Sequence, residues 1–336
     1  VPADNHDRDV SSIFGGSMAE QKAANHILFN VVYDSDNLLG RSEARKSVNL
    51  PEWDGDLSSA SGVSSVLSTD VLSATGLESW AKCPFSYFLG HILGVESLND
   101  PEEVMSISPL DKGTLVHSIL ERIVDTGVQL LPESDVDDHL VRICEDEFRL
   151  AEEKGVTGRS LFWLKAKSEI LRDIRLFVAN DGELIDANHM NTVWTEKPFG
   201  FDRENSLPPL AVELLDGTTM RFRGIIDRVD ISQNRDSLSV IDYKTGSSNP
   251  YKGMDVDPLD AGRKLQLPIY GLVAREAFDN IDDVQSAYWF VSSSSNFERK
   301  SVDLASVESG FLGVLNLISD GIKAGLFLDE SSEKWD

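Results

Sequence analysis

The order of helix-like and strand-like segments is the feature of this sequence that most restricts its fold. Between residues 138 and 185 the apolar side chains recur at helical spacing, whereas after Asn191 they alternate as in β-strands. The patterns predict strands at 192–201, 210–215, 220–231 and 238–244, a helix near 264–278, strands at 287–292 and 297–302, and a helix from about 305. Helices, a strand meander, a helix and a returning strand indicate an α/β fold with a mixed sheet and flanking helices.

Two further helices are predicted before this region. Ser73 and Thr75 are both candidates for the N-cap of a short helix, because their side-chain oxygens can accept free backbone N–H groups. Residues 113–131 form an amphipathic helix pattern with an apolar face made of Val116, Ile119, Leu120 and Ile123. The aromatic stretch 83–89 between the two helices is expected to be buried.

Composition divides the chain at about residue 70. Residues 1–70 are polar and acidic and include the Ser-rich stretch 57–65, so we expect a linker or the tail of a preceding domain. Apolar spacing favours one helix there, over 19–32. Residues 71–336 are long enough for one domain with a full core. The chain begins with Val1 rather than Met, which suggests a part of a longer protein.

Composition also excludes several classes of protein. No apolar run approaches the roughly 18 residues that a membrane span requires, so no membrane partner is expected. The two cysteines, Cys83 and Cys144, cannot build a disulfide scaffold and fit a reducing cytoplasm. The six histidines do not have zinc-ligand spacing with these cysteines.

The formal net charge of −26 argues against a protein that binds nucleic acid. Contacts from Lys and Arg to phosphates dominate such binding, so DNA-binding proteins usually present a basic face. Two interpretations stay open. The domain does not bind nucleic acid, or it receives DNA from a larger protein or partner into a metal-charged cleft. A bound cation can reverse the field locally whatever the total charge is.

Two predicted strands carry the strongest candidates for chemistry. They contain residues 224–230 (Gly-Ile-Ile-Asp-Arg-Val-Asp) and 240–246 (Val-Ile-Asp-Tyr-Lys-Thr-Gly). If the strands pair as a hairpin, Asp227 lies beside Asp242, and Lys244 shares a face with Asp242. Two adjacent carboxylates repel unless a cation lies between them, and such ligands suit Mg²⁺ or Mn²⁺. A metal-activated water could then attack phosphorus, and Lys244 would hold or help to deprotonate it.

The same residues also allow a structural interpretation. Asp-X-Lys is a short motif with many chance matches, and a solvated hairpin with scattered acids has the same local pattern. Asp230 is assigned to this structural group, either as an exposed hairpin acid or as a neighbour of Arg228. His117 lies at the edge of the apolar face of its predicted helix, where a histidine by itself is more often a core-edge residue than a ligand.

Five motifs occur in an order that resembles a known family. They are Cys83-Pro84-Phe85, Gly113-Thr114-Leu115-Val116-His117, residues 224–227, Asp242-Tyr243-Lys244-Thr245-Gly246 and Gln266-Leu267-Pro268-Ile269-Tyr270. Over roughly residues 70–325 the chain resembles the PD-(D/E)XK nucleases of the RecB/AddB type. The resemblance implies a restriction-endonuclease-like α/β core with a mixed sheet, flanking helices and a helical insertion. It also implies a Mg²⁺- or Mn²⁺-dependent deoxyribonuclease that is fused or bound to a helicase.

The resemblance assigns roles to individual residues. The metal ligands would be His117, Asp227, Asp242 and the backbone carbonyl of Tyr243, and the catalytic residues Asp227, Asp242 and Lys244. Gln266 and Tyr270 match a Gln-X-X-X-Tyr motif near the bound DNA strand, with an ordinary helix surface as the alternative. Their spacing puts both on one helix face, although Pro268 implies that the helix begins or kinks there. Glu196 resembles an acidic position that precedes the core carboxylates.

Cys83 matches the first of four cysteines that hold a [4Fe–4S] cluster in many AddB-like proteins. No cysteine follows Cys144, so four-cysteine ligation cannot be completed within this chain. The resemblance therefore leaves two alternatives, a cluster in a longer chain or a branch of the family that lacks one. Cys144 itself is expected to be a small buried apolar residue.

Together the motifs predict a metal-dependent DNA nuclease that processes DNA ends in recombination and double-strand break repair. Its partners would be DNA and a helicase domain or subunit. The alternative is a catalytically quiet module that guides DNA or docks a subunit. A third interpretation is an acidic structural domain with chance motifs. The presence of His117, Asp227, Asp242 and Lys244 together favours the nuclease, since a quiet module has no need to keep all four.

Overall fold

The computed structural model describes residues 55–58, 71–95 and 105–328. The helix predicted over 19–32 and most of the predicted linker or tail 1–70 lie outside these residues, as do residues 329–336. The domain boundary near residue 70 therefore stays a prediction. Within the described ranges, no helix is both long enough and apolar enough to cross a membrane.

The described residues form seven α-helices. The α-helices are α1 (Ala74–Lys82), α2 (Pro84–Tyr87), α3 (Pro109–Thr126), α4 (Glu133–Glu153), α5 (Ser160–Asn188), α6 (Gln266–Ala277) and α7 (Leu304–Lys323). A π-helical turn, Phe88–Ile92, follows α2. Short 3-10 turns occur at Val128–Leu130, Asn249–Asp255, Asp260–Gly262 and Ser293–Ser295. Each helix predicted within the described residues is present.

Side-chain caps explain where the first helices begin. Of the two N-cap candidates of α1, the structure selects Ser73, whose Oγ accepts the Gly76 N–H at 3.1 Å. The helix predicted over 113–131 begins earlier, at Pro109, because the Ser108 side chain caps it. It also ends earlier, because Gly127 takes a left-handed conformation with φ of 68°.

Seven strands form one mixed sheet. They are β1 (Val71–Ser73), β2 (Met190–Phe199), β3 (Leu210–Glu213), β4 (Thr219–Ser232), β5 (Ser237–Lys244), β6 (Asp283–Phe290) and β7 (Arg299–Asp303). The long strand β4 pairs with β1 in parallel and with β2, β3 and β5 in antiparallel fashion. Strand β5 pairs with β6 in parallel, and β6 pairs with β7 in antiparallel fashion. Strand β6 begins at Asp283, before the predicted residue 287. The apolar pattern does not predict these first residues, because polar side chains occupy the exposed positions among them.

Helices cover both faces of the sheet. On one face, α6 and α7 pack against strand residues such as Val240 and Tyr288. On the other face, α3, α4 and α5 pack against Ile241, Tyr243 and Trp289. Since neighbouring residues of β5 and β6 enter opposite cores, both strands are buried on two sides. The predicted α/β class with a mixed sheet, flanking helices and a helical insertion is confirmed.

Candidate metal centre and active site

The β4–β5 hairpin brings two aspartates together. Arg228 pairs with Ile241, so the next position away from the turn sets Asp227 beside Asp242. The two aspartates are only 7% and 3% exposed, respectively. Oδ2 of Asp227 accepts a hydrogen bond of 2.6 Å from the backbone N–H of Tyr243, which joins the two strands at this point. The hairpin expected from the sequence is therefore present, with both carboxylates buried.

His117 approaches this pair from α3. Its Nε2 lies 3.1 Å from the carbonyl oxygen of Tyr243. Its Nδ1 lies 3.5 Å from Oδ1 of Asp227 and 3.6 Å from Oε1 of Glu196. Both ring nitrogens of His117 thus face groups that could share a cation with it.

Glu196 completes a group of three candidate ligands. It lies in β2 between the pairs Thr195–Arg228 and Lys197–Ile226, and so stands opposite Asp227. Its backbone φ is 40°, which is uncommon for a residue other than glycine. Ligand atoms of His117, Glu196 and Asp227 all lie within 4.8 Å of one another. The structure thus gathers the weaker sequence candidate, Glu196, into this group, while Asp242 adjoins it.

Lys244 connects the carboxylates to α6. Its Nζ lies 2.5 Å from Oδ2 of Asp242 and forms an ion pair with it. The angles of this contact are not those of a hydrogen bond, and Oδ2 has no hydrogen-bond partner among the described residues. The same Nζ donates a hydrogen bond of 2.9 Å to Oε1 of Gln266. Nε2 of Gln266 donates in turn to the hydroxyl of Tyr270 at 3.4 Å. Gln266 and Tyr270 therefore share one helix face next to Lys244, and the helix begins just before Pro268.

The charges of this site depend on one another. Burial, and then the neighbouring Asp242, raise the pKa of Asp227 to about 6. Burial lowers the pKa of His117, but the carboxylates of Asp227 and Glu196 outweigh it and raise that pKa to about 10. Burial lowers the pKa of Lys244, but the negative charge of Asp242 outweighs this effect, and the pKa lies above its ordinary value. The carboxylates are thus balanced by a protonated imidazole and an ammonium group.

The donor set fits a divalent cation. Clustered carboxylates lose their mutual repulsion when a cation replaces the bound proton, and the imidazole then becomes a neutral ligand. Oδ2 of the buried Asp242 already faces one positive charge, the Lys244 ammonium at 2.5 Å, so this carboxylate is placed to interact with a cation. Carboxylate and carbonyl oxygens with one imidazole suit Mg²⁺ or Mn²⁺ better than a soft metal.

Asp230 belongs to a buried ion cluster rather than to the candidate metal site. It is 4% exposed, so its interpretation as an exposed hairpin acid is wrong and the alternative, a neighbour of Arg228, is confirmed. Nε of Arg228 donates to Asp230 at 2.7 Å, and Nη1 donates to Asp181 at 2.8 Å. Asp181 cannot be identified from the sequence as a member of this cluster, because nothing in its helical pattern indicates a partner in the sheet.

Cys83 lies at the start of α2 and not in the core. Its Sγ accepts the N–H of Ser86 at 3.5 Å. The expected burial of the aromatic stretch 83–89 holds for Tyr87 and Phe88, but Phe85 is 38% exposed. Phe327 packs against the Tyr87 and Phe88 rings, so the last described residues lie near this segment. The role of Cys83 as a cluster ligand in a longer chain stays a prediction. Cys144 is buried in the helical core, as expected.

Comparisons with known proteins find a matching family and several similar proteins. The PD-(D/E)XK nuclease superfamily matches residues 71–332. A subunit of the ATP-dependent helicase/deoxyribonuclease of Clostridium acetobutylicum is 26% identical over 232 residues, covering 63% of this chain and 18% of that protein. The same subunit of the Acetivibrio thermocellus enzyme is 25% identical over 211 residues, covering 60% and 17%. The chain thus spans less than a fifth of the length of these relatives.

A solved structure from Eubacterium rectale, provisionally named an exonuclease, is also similar. It shares 14% identity at a TM-score of 0.40, covering 82% of this chain and 89% of that one. The superfamily match covers most of the chain, and the mixed sheet with flanking helices is the restriction-endonuclease-like core that the resemblance implies. The chain belongs to the PD-(D/E)XK nuclease superfamily.

Proposed function

We propose that this chain is the nuclease module of a helicase–nuclease and hydrolyses DNA phosphodiester bonds with the help of a divalent cation. The observation that carries the proposal is the convergence of His117, Glu196 and Asp227 beside the Asp242–Lys244 ion pair. The names of the relatives, which combine helicase and deoxyribonuclease, support the same reaction and a helicase partner. End processing in recombination and double-strand break repair, in the cytoplasm, would follow from such a partnership.

The cation site would be formed by side chains from several elements. We assign the ligands to His117 of α3, Asp227 of β4, and Asp242 and the Tyr243 carbonyl of β5, with Glu196 of β2 as a further ligand or a holder of water. When Mg²⁺ or Mn²⁺ is bound, such a site supplies Lewis-acid chemistry and a water of lowered pKa. The burial of Asp227 and Asp242 keeps bulk water from weakening their interactions with a cation.

Lys244 would stabilise the charge that develops on the phosphate. Its ammonium group is held between Asp242 and Gln266, so it enters the reaction already oriented. In this position it can donate to the attacking water or to a phosphate oxygen. Gln266 would contact the DNA strand and hold Lys244. Tyr270 is only 6% exposed and hydrogen-bonds to Gln266. It would therefore mainly orient Gln266, and the DNA strand would pass beside Gln266.

A second candidate function is a catalytically quiet module that guides DNA or docks a subunit, and the net charge of −26 favours the docking role over contact with DNA. Such a charge repels DNA over long range, so the isolated domain is expected to bind duplex DNA weakly. Delivery of DNA by a helicase would remove this obstacle for the nuclease. The two functions differ in one respect that an assay resolves, which is whether the isolated chain cuts DNA at all.

Cleavage of end-labelled single- and double-stranded DNA tests the proposed function. The wild-type chain is expected to cut with Mg²⁺ or Mn²⁺ and to stop when EDTA removes the metal. Lys244→Ala is expected to lower the rate about 100-fold, because a positioned charged donor is lost. Lys165→Ala, on the exposed surface of α5, is the matched control and should cut like wild type. Absence of cleavage by wild type, or unchanged cleavage by Lys244→Ala, would contradict the proposed function.

The role of Glu196 can be tested apart from cleavage. Glu196→Gln keeps the size of the side chain but removes its charge, so Mn²⁺ affinity, measured by calorimetry, is expected to fall by about 10-fold or more. Glu204→Gln, an exposed position in the loop after β2, should bind Mn²⁺ as wild type does. Equal Mn²⁺ affinity in Glu196→Gln and wild type would remove Glu196 from the site.

A further inference from the structure

Glu78 is a buried acid that the proposed mechanism does not use. It lies in α1, is 6% exposed, and forms no ion pair with the other residues of the described ranges. A carboxylate removed from water is costly unless hydrogen bonds compensate it. Its Oε1 accepts the backbone N–H groups of Leu265 at 2.7 Å and Gln266 at 3.2 Å. The two hydrogen bonds that compensate the buried carboxylate thus come from residues that lie 187 and 188 positions after Glu78 in the chain.

These two N–H groups stand at the beginning of α6. The first N–H groups of a helix have no partner within it and need an acceptor. The residue before the helix, Leu265, has no side-chain cap, and Pro268 in the first turn has no N–H to contribute. Glu78 therefore supplies from α1 an acceptor for the N–H groups of the N-cap residue and of the first helical residue. Its negative charge also interacts favourably with the positive end of the helix.

The same helix end carries a side chain of the candidate active site. Gln266 is the first residue of α6, and its Oε1 accepts the hydrogen bond from Lys244. One residue thus receives a hydrogen bond from the proposed catalytic lysine and gives its backbone N–H to Glu78. A shift of this helix end would move the acceptor of Lys244 without touching the candidate metal ligands.

We propose that Glu78 is a positioning residue, which fixes the beginning of α6 and thereby holds Gln266 against Lys244; this inference rests on the proposed function. Without the carboxylate, the buried N–H of Leu265 and the partly buried N–H of Gln266 lose their acceptor and the first turn of α6 loosens. Lys244 then loses an ordered acceptor, and misplacement of a reacting group by about 1 Å can cost on the order of 100-fold in rate. The cation site keeps its ligands, so metal binding stays intact.

The test compares Glu78→Ala with Glu78→Gln, whose amide oxygen can still accept both N–H groups. For Glu78→Ala we expect kcat to fall 10- to 100-fold, with KM and the Kd for Mn²⁺ within about three-fold of wild type. Glu78→Gln is expected to restore kcat to within about three-fold of wild type. Leu140→Ala, in the core of α4, lowers stability elsewhere and controls for a general loss of structure.

Three outcomes would overturn the inference. They are an unchanged kcat in Glu78→Ala, a kcat in Glu78→Gln as low as in Glu78→Ala, and an equal loss of kcat in Leu140→Ala. Amide hydrogen exchange of Leu265 and Gln266 gives a readout that does not depend on activity. Both amides are expected to lose protection in Glu78→Ala and keep it in Glu78→Gln. If wild type itself does not cut DNA, the proposed function fails, whereas loss of this exchange difference refutes the capping by Glu78.

Discussion

Asp227→Asn is expected to lower DNA cleavage about 1,000-fold and to weaken Mn²⁺ binding, while the metal-free protein keeps its fold. The amide retains an oxygen that can accept the Tyr243 N–H, so the link between β4 and β5 survives. The charge that faces His117 and Asp242 is lost, and electrostatic groups of this kind contribute on the order of 10²- to 10³-fold to rates. Single-turnover cleavage and Mn²⁺ calorimetry measure the two losses.

The stability of Asp227→Asn provides a second test of the role of Asp227. Burial and Asp242 raise the pKa of Asp227 to about 6, above its ordinary 3.8. Because the folded state disfavours the ionised carboxylate, Asp227 makes the folded state less stable as the pH rises from 3.8 through about 6. A neutral Asn therefore leaves the melting temperature within a few degrees. Asp236→Asn, at the exposed turn of the same hairpin, is the matched control and should cut DNA as wild type does. Cleavage by Asp227→Asn at the wild-type rate would remove Asp227 from the reaction.

The fold could be predicted because its signals are local. Alternating apolar residues mark β4 and β5, and their antiparallel pairing follows from the turn-forming residues between them. That pairing already places Asp227 beside Asp242 and sets Lys244 on the same strand face. The apolar pattern does not predict the ends of α3, because Ser108 and Gly127 decide them and lie outside that pattern.

The rest of the site depends on contacts between distant parts of the chain. Glu78 acts on residues about 187 positions away, and no spacing within α1 indicates such a partner. Glu196 enters the ligand group through a positive φ within β2, a local geometry that its neighbours in the sequence do not predict. In the sequence, Asp181 is one of many polar residues of the long helix α5. Its hydrogen bond with Arg228 exists only because the helix packs against the sheet. The sequence therefore predicts the hairpin that carries Asp227, Asp242 and Lys244, and the structure adds the residues around it.

Arg228→Met is expected to destabilise the folded chain by about 3–5 kcal/mol, because it leaves Asp181 and Asp230 buried without a counter-charge. Arg228 is 1% exposed and donates to both carboxylates. A typical domain is stable by only about 5–15 kcal/mol, so this is a large fraction of the total. Urea unfolding monitored by tryptophan fluorescence gives the free energy of unfolding.

The loss in Arg228→Met should depend on pH in a defined direction. Burial raises the pKa of Asp181 even in wild type, with Arg228 opposing that effect, so the pKa rises further when Arg228 is removed. A raised pKa gives stability that is full below the unfolded value of 3.8 and is lost as pH rises through the folded value. The difference between Arg228→Met and wild type is therefore expected to shrink from pH 8 to pH 5.

Two further variants separate this ion cluster from a simple loss of packing. Combining Arg228→Met with Asp181→Asn and Asp230→Asn removes the unpaired charges and should recover most of the lost free energy. Arg149→Met breaks an exposed ion pair with Glu153 and should change the free energy of unfolding by less than about 0.5 kcal/mol. If Arg228→Met unfolds within about 1 kcal/mol of wild type at pH 8, the cluster does not stabilise the hairpin that carries Asp227.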